Sequence, residues 1–127
     1  MDLSSIYVHD GRLLRVIEDT EVDTLTMQVE LPITPDSDAL VPRILVFADA
    51  YGYQVMEGPF QGCPAILDMQ IIAEQGRWRQ VRIGTNAGYR TVFCTSVTVD
   101  RACPQSGYFR DIAIPDRRRI LVREHFG

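Results

Sequence analysis

A strict alternation of apolar and polar residues is the feature that most limits what this chain folds into. Residues 24–31 read TLTMQVEL, so every second side chain is apolar. A period of two is the pattern of a half-buried β-strand, because successive side chains of an extended chain point to opposite faces. One face of this segment therefore belongs to a core and the other to a polar surface. The core face carries Leu25, Met27, Val29 and Leu31.

Similar segments recur at short spacing along the chain. Turn residues separate them, and proline-rich or glycine-rich stretches at residues 32–42, 51–64 and 100–116 are expected to be irregular. A helix over residues 64–75 is the alternative for one segment, but a strand is favoured because a hairpin-type turn follows it. The other predicted strands cover residues 12–18, 43–50, 65–73, 78–84, 89–99 and 117–124.

These elements predict an all-β fold, an antiparallel β-sandwich or flattened barrel of about seven or eight strands. The 127 residues fit one domain spanning residues 1–127. Trp78 is expected to cover an edge of the core. The side chains predicted to form that core are Leu14, Val16, Leu25, Met27, Val29, Leu31, Ile44, Val46, Phe47, Leu67, Ile71, Val81, Ile83, Phe93, Val97 and Val99.

Charge and composition exclude several classes of protein. The net charge is −4 and all 13 basic residues are arginine, without a basic cluster large enough for general nucleic-acid binding. The N-terminal residues lack the apolar run of a secretory signal, and no stretch approaches a membrane span. Three cysteines without metal-binding spacing are typical of free thiols in a reducing compartment, so we expect a cytoplasmic protein.

No motif in the sequence predicts a cofactor or a metal. His9 and Asp10 are adjacent and form the one pair suited to general-base or metal-ligand chemistry, with His125 as a second imidazole. Satisfaction of local backbone groups at the start of a strand explains the same pair without catalysis. Cys94 has no histidine near it in sequence and is expected to be a small buried side chain.

Aromatic residues in two irregular stretches are the candidates for a partner-binding surface. Tyrosine and arginine are enriched among the residues that dominate protein–protein binding, and loops on rigid scaffolds often carry function. The alternative is that these rings fold back and cap the ends of the sandwich. The candidate residues are Tyr51, Tyr53 and Phe60 in the first stretch and Tyr108, Phe109 and Arg110 in the second.

Three segments resemble a family of small uncharacterised bacterial proteins: HDGRLLRV at residues 9–16, the stretch at residues 44–72, and RIGTNAGYRTVFCTSVTV at residues 82–99. The resemblance implies a β-sandwich and, more loosely, a likeness to immunity-type proteins that neutralise toxins. The matching residues are structural in kind, so the resemblance implies no mechanism.

Three functions follow as hypotheses. The first is a non-enzymatic protein-binding module, of immunity type in one form, that acts through its aromatic residues. The second is a homo-oligomeric structural protein, a homodimer for example, whose strand edges pair between copies. The third is a small metal-dependent hydrolase that uses His9 and Asp10.

Overall fold

A computed structural model of the chain describes residue 3, residues 6–101 and residues 122–126, and these residues form nine strands. Turns and short loops connect most of the consecutive strands that lie within residues 6–101. The strands are β1 (Arg12–Asp19), β2 (Thr24–Pro32), β3 (Leu40–Ala48), β4 (Tyr51–Glu57), β5 (Ile66–Gln75), β6 (Trp78–Thr85), β7 (Gly88–Cys94), β8 (Ser96–Arg101) and β9 (Val122–Phe126).

The strands form two antiparallel sheets, which confirms the predicted all-β sandwich. The five-stranded sheet has the order β8-β3-β2-β1-β9, and the four-stranded sheet has the order β4-β7-β6-β5. Apolar side chains from both sheets meet in one core that includes Leu25, Phe47, Val81 and Val92. The described residues contain no helix, and so none long and apolar enough to cross a membrane.

The alternating segment at residues 24–31 behaves as its pattern predicts. Leu25, Met27 and Val29 are fully buried in β2, whose neighbours in the sheet are β1 and β3. β3 lies between β2 and β8; on its inner face Leu45 and Phe47 are buried in the core, and on its other face Ile44 is buried and Val46 partly buried. β2 and β3, the strands with the clearest sequence patterns, are therefore interior strands of the larger sheet.

Two predicted boundaries are wrong. Residues 51–57, expected to be irregular, form strand β4, which pairs with β7. Residues 89–99, expected to be one strand, are two: β7 ends at Cys94, and after Thr95 the chain enters the other sheet as β8. Within β7, Val92 and Cys94 lie in the core and Phe93 between them lies on the outer face of the four-stranded sheet, so the phase of Val97 and Val99 in β8 does not extend to it.

Irregularities in strand register correct the predicted core further. A register shift between Leu13 and Arg15 puts Leu13, not Leu14, in the fully buried position. A second shift, between Ile66 and Asp68, buries Ile66 and leaves Leu67 44% exposed. An extra residue in one strand reverses the faces that follow it, which explains both errors. Val46, Ile71 and Val97 are only partly buried, and Val99 is exposed.

Candidate partner-binding surface

The ring of Tyr51 contacts two other aromatic rings at one end of the four-stranded sheet, and we call the three residues the aromatic cluster: Tyr51, Trp78 and Phe93. The rings of Tyr51 and Phe93 are stacked, with centroids 4.9 Å apart and an interplanar angle of 12°. Trp78 meets the Tyr51 ring edge-on at 5.8 Å. Tyr51 is 43% exposed, and the other two rings are partly buried, so the cluster stands on the surface and not in the core.

Strand alternation places this cluster on the outer face of the sheet. On β7, Val92 and Cys94 are completely buried, so Phe93 between them must point away from the second sheet. Tyr51 on the edge strand β4 lies directly opposite Phe93 in the ladder, and directly opposed residues share a face. The cluster is therefore a consequence of the register between β4 and β7.

Hydrogen bonds around Asp49 hold the corner from which the cluster projects. Asp49 has a positive φ of 50°, which turns the chain between β3 and β4. Its backbone oxygen accepts a hydrogen bond from Trp78 Nε1 at 3.1 Å, and its carboxylate accepts one from Thr95 Oγ1 at 2.7 Å. The guanidinium of Arg77 lies 4.7 Å from the centre of the Trp78 ring. These contacts orient the tryptophan without using the exposed face of Tyr51.

A buried ion pair fastens the other end of β4 to the sheet. Glu57 accepts two hydrogen bonds of 2.7 Å from the guanidinium of Arg90, in the bidentate arrangement that is strongest for these groups. Arg90 also donates to the hydroxyl of Tyr53 at 3.1 Å, and Thr85 donates to Glu57 at 3.0 Å. The side chains of Arg90 and Glu57 are only 4% and 9% exposed, so water screens the pair weakly.

Burial and neighbouring charges together shift the pKa values of Arg90 and Tyr53. Burial disfavours a charged guanidinium, but hydrogen bonds and charge from Glu57 and Tyr53 outweigh it, so the pKa of Arg90 lies above its ordinary value. Burial also raises the pKa of the Tyr53 hydroxyl, and Arg90 only partly offsets this. At neutral pH Arg90 is therefore charged and Tyr53 is neutral.

A second cation–ring contact lies further along the outer face. The guanidinium of Arg82 on β6 lies 4.7 Å from the centre of the Tyr89 ring on β7. Within the described part of the chain, Arg82 has no ion pair or side-chain hydrogen bond to another residue. The outer face thus combines aromatic rings with an arginine whose hydrogen-bonding edge is available to a partner.

The predicted partner-binding residues that the structure describes do not lie together on one surface. Tyr51 belongs to the aromatic cluster, whereas Tyr53 turns inward and its hydroxyl bonds to Arg90. Phe60 is 47% exposed in the loop after β4 and stacks against no other described ring. The remaining three predicted residues, Tyr108, Phe109 and Arg110, lie outside the described residues.

Two members of the cluster were not predicted as surface residues. The sequence predicts Phe93 in the core, because residues 89–99 read as one unbroken strand, and it predicts that Trp78 covers an edge of the core. Only the pairing of β4 with β7 brings Tyr51 and Phe93 together. The local sequence around Phe93 and Trp78 carries no signal for this placement, because their contacts with Tyr51 arise from pairing between strands.

His9 and Asp10 line a separate cleft of about 230 Å³ that also involves Asp36 and Asp38. His9 Nδ1 lies 2.9 Å from the backbone oxygen of Leu67, which can only accept, so the proton of a neutral imidazole sits on Nδ1. Nε2 lies 3.5 Å from the Asp10 carboxylate, and both side chains are more than half exposed.

Among the described residues, no group of three or more histidine, cysteine, aspartate or glutamate side chains is arranged to hold a metal ion. His9 and Asp10 therefore have no third ligand there. The backbone of β9 places His125 opposite Val16 in the middle of β1, away from the His9 end of that strand. Cys63 and Cys94 are free thiols, and burial raises the pKa of the Cys94 thiol to about 11, which suits a packing role and not a nucleophile.

Comparison with protein-family models, curated proteins and solved structures finds no match to this chain.

Proposed function

We propose that this chain is a non-enzymatic protein-binding module and that its partner binds the aromatic cluster on the outer face of the four-stranded sheet. The observation that carries the proposal is the exposed ring of Tyr51, which stacks on the partly buried Phe93 and has Trp78 against it. Aromatic residues and arginine dominate the binding energy of protein interfaces, and both types are concentrated here.

Rigidity of the surface supports this proposal. The contacts of Asp49 orient Trp78, and the Glu57–Arg90 pair fixes β4 to β7. A partner that binds an already ordered surface does not have to overcome the loss of side-chain freedom at these positions. The cluster therefore has the preorganisation that a binding energy hot spot requires.

The way in which the rings are covered favours a protein partner over a nucleic acid. Arg77 lies over Trp78, Tyr51 lies over Phe93, and Arg82 lies over Tyr89. Few ring faces therefore remain on which the bases of a single-stranded nucleic acid could stack. Binding of a nucleic acid also requires a positive surface potential, which a net charge of −4 does not supply. Ring edges, a tyrosine hydroxyl and guanidinium groups are instead suited to the mixed surface of a protein.

Two finer statements belong to the same proposal. The resemblance of the chain to immunity-type proteins suggests that the bound protein is a toxin that the module neutralises. Its location would then be the cytoplasm, a compartment in which free thiols such as Cys63 and Cys94 are the rule.

The test is capture from native lysate, read by quantitative mass spectrometry, with three forms of the tagged protein. The wild type is compared with Tyr51→Ala and with Tyr7→Ala, because Tyr7 is a similarly exposed tyrosine that lies away from the cluster in the His9 cleft. We expect the wild type and Tyr7→Ala to retain one near-stoichiometric protein and Tyr51→Ala to lose it. Equal capture by all three forms would remove the aromatic cluster from the account, provided that thermal midpoints show all three folded.

A further inference from the structure

The free edge of β4 is a second surface that the proposed function does not use. β4 is the outermost strand of the four-stranded sheet and pairs only with β7 among the described residues. About half of the backbone amide and carbonyl groups of such a strand point away from the sheet and are available to another strand. Val55 is 41% exposed and Met56 55% exposed, so apolar side chains accompany these groups.

Charge distinguishes this edge from the others. Between Tyr51 and Met56 the strand has no charged residue, and the carboxylate of Glu57 is turned into the buried ion pair with Arg90. Natural sheet edges are commonly protected by charged side chains. Exposed charged side chains stand on two of the other edge strands, Glu74 on β5 and Asp100 on β8, and the sequence of β9 contains Arg123 and Glu124.

We infer that a second copy of this chain occupies the β4 edge, in antiparallel pairing about a twofold axis at Gln54. An uncharged strand meets no like charge when it pairs with itself, whereas a strand with acidic residues repels its own copy. Gln54 is the middle residue of β4, so this register pairs the most residues. It places Tyr53 opposite Val55 and Gly52 opposite Met56, with Gln54 opposite itself.

This dimer extends the surface of the proposed function without depending on it. Two four-stranded sheets join into one continuous sheet, and their outer faces lie on the same side. Met56 of the second copy enters the space beside Gly52, where no side chain stands, and so lies close to Tyr51. Each aromatic cluster therefore gains an apolar residue from the neighbouring copy.

Charge substitutions at Gln54 test the inference by light scattering coupled to size-exclusion chromatography. The wild type is expected to have the mass of two chains and to dissociate on dilution. Gln54→Lys alone and Gln54→Glu alone each place like charges opposite one another, which weakens the dimer on the order of tenfold or more. An equal mixture of the two restores a two-chain species, because the charges are then opposite.

Gln70→Lys is the matched control, since Gln70 is an exposed glutamine on the other edge strand of the same sheet. The control is expected to keep the wild-type mass. A wild type that stays monomeric at every concentration, a control that dissociates as Gln54→Lys does, or a mixture that stays monomeric would each overturn the inference.

A cysteine cross-link tests the register independently of charge. In a background with Cys63→Ser and Cys103→Ser, Gln54→Cys is expected to form a disulfide-linked dimer under mild oxidation, because directly opposed residues of antiparallel strands are within disulfide reach. Gln70→Cys is expected to remain monomeric. Failure of Gln54→Cys to cross-link, or equal cross-linking at both positions, contradicts the proposed axis. Retained lysate capture by Tyr51→Ala, which contradicts the proposed function, would leave these dimer results unchanged, so the two proposals fail separately.

Discussion

The two edge strands of the four-stranded sheet, β4 and β5, differ in how far they are protected against pairing with another strand. β5 contains acidic residues Asp68 and Glu74 and has two register shifts, at which the apolar side chains of Leu67 and Ile72 become exposed. β4 has a single shift near Gly52 and no charge before Glu57. Bulges and charges interrupt strand pairing, so β5 is protected against association and β4 is much less so.

The position of the charged groups explains how β4 remains stable without that protection. On β5, Glu74 is 69% exposed and pairs with Arg79 at the surface. On β4, the charged pair lies behind the strand, with Glu57 and Arg90 almost completely buried. On β5, the charged side chains thus oppose pairing with another strand. On β4, the ion pair anchors the strand from inside and leaves its outer edge uncharged. The comparison teaches that an edge can be rigid and available for binding at once.

The largest expected effect separates these two ion pairs. Arg90→Met leaves the carboxylate of Glu57 buried without its cation, and we expect the free energy of unfolding to fall by about 3–5 kcal/mol. Arg79→Met removes a surface ion pair and hydrogen bonds to the backbone oxygens of Gly76 and Trp78, and it is expected to cost about 1 kcal/mol. Urea denaturation followed by circular dichroism measures both. Equal losses for the two variants would mean that β4 is not anchored as described.

An intermediate effect concerns pH and the core behind β7. Cys94 is fully buried, and its pKa is raised to about 11, above the value of a thiol in the unfolded chain. The unfolded state therefore ionises first as pH rises, so the stability that the neutral thiol confers is complete below about pH 8.5 and is lost towards about pH 11. Between about pH 8 and pH 10 the free energy of unfolding should fall by about 2 kcal/mol more in the wild type than in Cys94→Ala. Parallel pH profiles of the two proteins would contradict the burial of an ionisable thiol at this position.

The smallest expected effect distinguishes binding from stability at the aromatic cluster. Tyr51 is largely at the surface, so Tyr51→Ala should lower the free energy of unfolding by only about 1 kcal/mol, the contribution of its ring contacts. Leu67→Ala at the exposed bulge of β5 should cost less than about 0.5 kcal/mol. Thermal unfolding of both variants provides the measurement. A loss of several kcal/mol for Tyr51→Ala would show that the ring is structural and would remove its value as a binding probe.

The sequence predicts the elements of this fold better than their faces. Alternation in residues 24–31 correctly predicts β2, and the apolar run at residues 43–50 correctly predicts a central strand. A bulge adds one residue to a strand without any clear signal in composition. As a result Leu13 and Ile66 are buried, whereas the sequence predicts Leu14 and Leu67 in the core. Local periodicity carries no information about such shifts, because they depend on the partner strand.

The candidate site could be predicted only in part for a related reason. Tyr51 is recognisable as an aromatic residue in a glycine-containing stretch, but its contacts come from β7 and from the start of β6. The sequence predicts Phe93 in the core because a continuous strand over residues 89–99 gives it the same face as Val97 and Val99, whereas the chain crosses between the sheets at Thr95. Glu57 and Arg90 are 33 residues apart in sequence, and nothing local indicates that they pair.

Hydroxyl-radical footprinting of the captured complex against the free protein tests the central claim most directly, because it reports the solvent exposure of individual side chains. Tyr51 and Trp78 report on the aromatic cluster, and Leu67 and Ile72 report on the β5 edge of the same sheet. The account predicts that oxidation of Tyr51 and Trp78 falls in the complex while oxidation of Leu67 and Ile72 is unchanged. Protection of Leu67 and Ile72 with unaltered oxidation of Tyr51 would contradict it, since the partner would then bind the edge that the bulges and charges were expected to protect.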